Sequence, residues 1–238
     1  MMSYYPMILL TIGSYLLGSV PAAYIAGRLL NGIDIREYGS GIASGSNVWH
    51  SIAKWAIVPV GIFDLFKGII PVVVVMQLNF TVGGSEVAAQ GIGALAAMIG
   101  HSWSVFFKFG GGRGVTPMLG ALGFFAPFEL IIFVAVWVGG WGIFKKSPLF
   151  MMIAMLVMII SSPFLPNPWL SWEKSLMTTW FLLGMLLLLI LKRIIAETPV
   201  PRDNWKQVVL CRLLYDRDIR NRTDWIYRKP IKYTDTKY

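Results

Sequence analysis

The sequence predicts an all-α, polytopic membrane protein of about seven transmembrane helices, with its N-terminus outside and its C-terminus in the cytosol. Three observations predict it. Of 238 residues, 56% are hydrophobic and only 14% are charged, against about 25% charged in a soluble domain. The apolar residues gather into runs close to the roughly 20 residues that cross a hydrocarbon core. The basic residues fall almost entirely on one side once those runs are threaded through a bilayer. A mean hydropathy of +0.63 agrees.

The first run extends from about Met7 to Gly27. It has no basic segment before it and no small-residue cleavage site after it, so it reads as a retained helix rather than a signal peptide. The second runs from about Trp55 to Leu78 and the third from about Val87 to Val105. Val115 to Phe144 is too long for one span; Pro127 cannot donate a backbone N–H, and divides it into a short fourth helix and a fifth from about Phe128. The sixth covers about Leu149 to Leu165 and stops at a proline cluster, and the seventh covers about Trp172 to Ile195. Residues 1–195 form the membrane domain on this reading, and residues 196–238 a basic, cytosolic, interfacial tail.

Charge fixes the orientation. With the N-terminus outside, 19 of the 21 Lys and Arg residues lie in inside segments, 12 of them after Leu191. Lys174 alone falls in an outside loop and Lys67 lies within the second span. The net charge of +9 is therefore mostly topological. It does not point to nucleic acid, because the basic residues are not interleaved with a soluble aromatic platform. Cys211 is the only cysteine and cannot form an internal disulfide. With His50 and His101 it falls short of a zinc set, so no metal is expected.

Two inside loops carry chemical signals. Residues 32–47 are rich in Gly, Ser and Asn, residue types that expose backbone N–H groups and can wrap an anion. The same composition suits a plain polar connection, and both readings stand. The second loop carries Gly110-Gly111-Gly112 between Lys108 and Arg113. Three glycines let a backbone approach a phosphate closely, with Arg113 as a planar fork and Lys108 as a point charge. It is not a nucleotide P-loop, having no Gly-Lys-Ser/Thr ending. Asp64 and Lys67, three apart on the second span, share a helix face and predict an internal ion pair. His101 ends the third span and His50 follows the first loop.

These segments resemble the bacterial acyl-phosphate:glycerol-3-phosphate acyltransferases, seven-helix inner-membrane enzymes. The match takes in Gly18-Ser19-Val20-Pro21, Gly32-Ile33-Asp34-Ile35-Arg36, Gly39-Ser40-Gly41 and Asn47-Val48, then Asp64, Lys67-Gly68 and Pro71-Val72. It continues in Gly100-His101, Val105-Phe106, Lys108-Phe109, Gly111-Gly112 and Gly114-Val115. The resemblance implies transfer of a fatty acyl group from acyl-phosphate to the 1-hydroxyl of glycerol 3-phosphate, giving lysophosphatidic acid. No coenzyme A, cofactor or metal is implied, and the partners are the two substrates and membrane lipids. Ser40, Lys108 and Arg113 would be catalytic. Arg36, Ser46, Asn47, His50, Lys67, His101, Gly111 and Gly112 would bind substrate or phosphate. The sequence departs from the family in several places, and one is His50, which stands where the family has Arg. Gly41-Ile42-Ala43-Ser44-Gly45-Ser46-Asn47 stands where the family usually has Gly-Asn-Ile-Gly-Ala-Thr-Asn, and Arg113 stands where it has Lys. A third motif, His-Arg-x-Asn, is replaced by Leu187 to Leu191. The alternative is therefore a catalytically inactive relative that binds a phospholipid headgroup or a protein partner.

Overall fold

The computed structural model describes residues 5–38, 41–165, 172–195 and 204–227, and among them every regular element is helical. The first apolar run is broken. Helix α1 (Tyr5–Ser19) and helix α2 (Ala22–Asn31) are separated at Val20 and Pro21. Pro21 has no N–H to continue the ladder, and the carbonyls before it become available to other elements. The loop that follows carries a single 3-10 turn, Ile35–Glu37, and the short α3 (Gly45–Ser51). Helix α4 (Ile57–Leu78) fills the second run and ends on Asn79 in a left-handed conformation, a common way to close a helix. Helix α5 (Glu86–Ser102) starts at Ser85, whose hydroxyl accepts from the Ala88 N–H at 3.2 Å and so satisfies one of the orphan donors of the first turn.

The break expected at Pro127 is present: α6 (Val115–Phe125) stops just before α7 (Pro127–Phe144). Helix α8 (Ser147–Ser161) and α9 (Trp172–Ile194) fill the last two runs. Among the described residues, five helical stretches are long and apolar enough to cross a membrane: Tyr5–Asn31, Ile57–Leu78, Pro127–Phe144, Ser147–Phe164 and Leu176–Ile194. Helices α5 and α6 occupy the expected third and fourth positions but hold only 17 and 11 residues. Beyond α9, the segment expected as an interfacial tail forms α10 (Trp205–Tyr215) and α11 (Arg222–Tyr227), and α10 packs on α8 and α9.

Small residues set the packing. Helix α1 lies against α5 where Gly18 faces the Ala97 carbonyl and Gly100 faces the Tyr15 carbonyl; a Cβ at either would collide with backbone. Gly68 on α4 meets the Pro117 carbonyl, and Gly120 on α6 meets the Leu65 carbonyl, in the same way. In lipid no hydrophobic force drives helices together, so close backbone contact through glycine supplies the dispersion attraction instead. One core binds α4 through α9, with Met98, Met118, Leu122, Phe133 and Met155 fully enclosed. Glu129 of α7 is buried there, and Ser162 donates to its Oε1 at 2.9 Å.

Candidate active site

The broken first run builds the site. Between α1 and α2 the chain lines a small, partly open cleft, closed on the other sides by α4, the end of α5 and the glycine loop. Its polar walls are Ser19, Asp64, Lys67, His101, Ser104 and the backbone of Gly111 and Gly112. The Lys67 ammonium donates to Asp64 Oδ1 at 2.6 Å and to the Val20 carbonyl at 2.5 Å. The pair predicted from the spacing therefore exists, and it leans on a carbonyl that Pro21 releases. Ser104 donates to the neighbouring Ser19 carbonyl. His101 Nδ1 lies 3.6 Å from Asp64 Oδ1.

The glycine loop closes over His101. The Gly112 N–H donates to the His101 carbonyl at 3.0 Å. A Cβ at Gly112 would strike the imidazole Nε2, and one at Gly111 would strike the His101 carbonyl. Only glycine fits at Gly111, and at Gly112 a Cβ would push the imidazole aside, so the backbone itself becomes a wall of the cleft. At the rim, Phe107 lines the cleft and carries the Arg36 guanidinium 4.6 Å above its ring. Arg36 is held there by Asp34, with contacts of 3.0 Å and 2.7 Å from Nε and Nη2. Arg28 reaches the same carboxylate at 3.4 Å. The hydrogen bonds and charge of Arg36, above all, hold the Asp34 carboxyl below the ordinary aspartate value, with Arg28 adding to the effect.

Lys67, His101, Gly111 and Gly112 are thus brought together, with Arg36 at the rim. The other expected residues lie elsewhere. Ser40 falls outside the described residues. Ser46 and His50 are exposed on α3, away from the cleft walls. Asn47 is buried, and its amide donates to the Ile35, Tyr38 and Ile42 carbonyls at 3.1, 3.0 and 3.0 Å while its Oδ1 accepts from Ser51 at 2.8 Å. It spends its hydrogen-bonding capacity on the shape of the first loop. Lys108 stands exposed at the tip of a turn in the left-handed region, φ +52°. Arg113 points away from the cleft, toward the end of α9 and the tail: Nη1 donates to the Lys192 carbonyl at 2.7 Å and Nε lies 2.9 Å from Asp216. The sequence reading did not single out Ser19 and Ser104. Their signal was the Gly-Ser-Val-Pro run, whose proline marks where carbonyls come free.

A family model for glycerol-3-phosphate acyltransferase matches residues 8–197. The chain belongs to the glycerol-3-phosphate acyltransferase family. Glycerol-3-phosphate acyltransferase 4 of Dehalococcoides mccartyi (strain CBDB1) is 32% identical over 233 residues, covering 97% of each chain. The glycerol-3-phosphate acyltransferase of Halalkalibacterium halodurans is 40% identical over 131 residues, 55% of this chain and 62% of that one. The fold is similar to a crystal structure of PlsY (YgiH), an integral membrane glycerol 3-phosphate acyltransferase, in its glycerol 3-phosphate form. The TM-score is 0.68 at 24% identity, covering 87% of this chain and 94% of that one. The lysophosphatidic acid form of PlsY gives 0.67 at 23% identity, with 87% and 93% covered. This acyltransferase family match includes the cleft and stops short of α10.

Proposed function

We propose that the chain transfers a fatty acyl group from acyl-phosphate to the 1-hydroxyl of glycerol 3-phosphate, giving lysophosphatidic acid and inorganic phosphate. One observation carries this reading: a buried lysine, a histidine and a two-glycine backbone wall face a single cleft at the ends of membrane helices. Both substrates bear phosphate and one bears an acyl tail, which suits a polar cleft bordered by lipid-facing helices. In the reaction the hydroxyl oxygen attacks the acyl carbonyl carbon and the carbon–oxygen bond to phosphate breaks. The departing phosphate takes the hydroxyl proton, so no protein base has to be consumed. Lys67 and His101 hold the phosphate and the charge that develops on it, against the wall of the Gly111–Gly112 backbone. Arg36 receives the second phosphate at the rim.

On this reading the spans number seven, the N-terminus is outside, and the cleft faces the cytosol across the cell's inner membrane. The tail keeps its surface role through exposed Trp205 and Lys206, which suit the headgroup region of an anionic leaflet. The test is transfer by the purified chain in lipid nanodiscs, given synthetic acyl-phosphate and labelled glycerol 3-phosphate. Labelled lysophosphatidic acid is expected, with Lys67→Met and His101→Ala each lowering its rate at least about 100-fold. No product at saturating substrate overturns the reading, and so does parent-like turnover in both variants.

A further inference from the structure

We infer that Asp216, in the segment beyond the family match, is a positioning residue for the cleft: by holding Arg113 it sets the glycine loop that forms the cleft wall. The functional part of this inference rests on the reading above.

The loop needs an outside anchor. Gly110 to Gly114 contains four glycines and one long side chain, Arg113. Glycine has the most conformational freedom to lose on ordering, and it offers no side chain to pack. Within the loop the Gly112 N–H is tied to His101. Gly110 bonds to Phe107 and Ser104 and the Gly114 carbonyl accepts from the Met118 N–H; the loop's side-chain link to α9 and α10 is the Arg113 guanidinium, bonded to the Lys192 carbonyl at 2.7 Å and paired with Asp216 at 2.9 Å. The side chain of Arg113 is 11% exposed and that of Asp216 27%, so this pairing is partly shielded from water and is screened less than a fully exposed one.

Asp216 is itself firmly placed. It closes α10 in the left-handed region, φ +55°, with its N–H on the Arg212 carbonyl at 3.0 Å. Arg212 is buried and reaches the Ile194 carbonyl at 2.8 Å and Asp218 at 2.6 Å. Arg193 is buried and spans the Leu213 carbonyl at 2.5 Å and the Pro148 carbonyl at 3.1 Å. Arg212 caps a carbonyl at the end of α9, where a helix favours positive charge, and Arg193 reaches from α9 to carbonyls of α10 and α8; together they dock α10. Asp216 Oδ1 also lies 3.7 Å from Arg193 Nε. One carboxylate therefore separates two buried guanidinium groups. Remove its charge and Arg113 and Arg193 face each other without compensation. Arg113 is the member free to swing, because its neighbours on both sides are glycines, and the wall moves with it.

The experiment uses the full chain in nanodiscs with Asp216→Asn, Arg113→Gln and the double variant. Amide hydrogen exchange over residues 110–114 should rise at least tenfold in Asp216→Asn, with the middle of α5 unchanged as the internal control. The wall contacts phosphate before and during transfer, so its displacement should appear as weaker binding. The KM for glycerol 3-phosphate should rise about tenfold while kcat changes less than threefold. In the Arg113→Gln background Asp216→Asn should add less than a twofold change, because its effect runs through Arg113. Parent-like exchange in Asp216→Asn overturns the inference, as does parent-like KM or an equal effect with and without Arg113. If the Asn variant does not fold, Asp216→Glu is read the same way with about threefold changes expected, and none overturns the inference. A parent chain that makes no lysophosphatidic acid defeats the functional reading alone, and the exchange measurement still decides the positioning role.

Discussion

Lys67 and Asp64 form a buried ion pair at 2.6 Å on one face of α4, and the same ammonium crosses to the Val20 carbonyl on another element. The lysine thus binds α4 to the break between α1 and α2. Its side chain is 2% exposed and that of Asp64 is 11% exposed. Removing one partner of such a pair leaves an uncompensated charge and costs about 3–5 kcal/mol. Lys67→Met should lower thermal stability by that order in detergent. The double variant with Asp64→Asn should recover a large part of it. A double variant as unstable as the single one would show that Asp64 is not the partner that matters.

Gly112→Ala is expected to separate activity from fold. The new Cβ meets the end of the His101 ring rather than backbone, so the imidazole can shift at modest cost to stability. A displacement of about 1 Å in a transfer site can cost on the order of 100-fold in rate. The lysophosphatidic acid assay should therefore fall about 100-fold with little change in melting temperature. Gly13→Ala, which meets open space on α1, is the control and should match the parent in both.

Asn47→Ala should act on stability rather than on substrate binding. Three loop carbonyls lose their donor at once, and a buried polar group left unpaired costs about 1–3 kcal/mol. A loss of about 2–4 kcal/mol is expected, with the KM for glycerol 3-phosphate in the surviving folded fraction within twofold of the parent. A KM change as large as that of the cleft variants would place Asn47 on the substrate instead.

Asp34 supplies a pH dependence with a definite sign. Its carboxyl is held below the ordinary value of 3.8 in the folded chain, Arg36 being the main cause. The folded state therefore binds this proton less readily than the unfolded state. The stabilisation is fully present above the ordinary value and is lost as pH falls through the folded one. The melting-temperature difference between the parent and Asp34→Asn should stay level from neutral pH to about 5 and shrink below about 4. Arg28 and Arg36 are partly exposed, so the difference should be small and should weaken with salt. A difference that grows on acidification would contradict this assignment.

Much of the helical order is legible in the sequence because hydropathy and proline placement act locally. Pro127 sits where a run is too long, and α6 and α7 part there. Asp64 and Lys67 are legible as a pair because three residues on a helix bring them to one face. Pro21 is harder to read, since it lies inside an unbroken apolar run and hydropathy does not register a missing N–H. The roles of Asn47 and Arg113 are harder still. Their side chains suit a phosphate equally well, and only the folded chain shows three carbonyls around one amide and Asp216 beside one guanidinium. The docking of α10 is hidden for a related reason: Arg212 bonds to a backbone carbonyl of α9, and Arg193 of α9 to carbonyls of α10 and α8, which no charge pattern displays.

The shortness of α6 has a consequence for the surrounding lipid. Eleven residues rise about 16 Å, roughly half the depth of a hydrocarbon core, and α5 with 17 residues rises about 25 Å. In a bilayer, either the leaflet thins beside these two helices or the glycine loop sits well below the phosphate plane. Both bring the cleft toward the carbonyl end of an acyl chain that is still immersed, so the donor need not be lifted out to react. The chain lengths that such an enzyme helps install would also set the thickness of the bilayer in which it has to work.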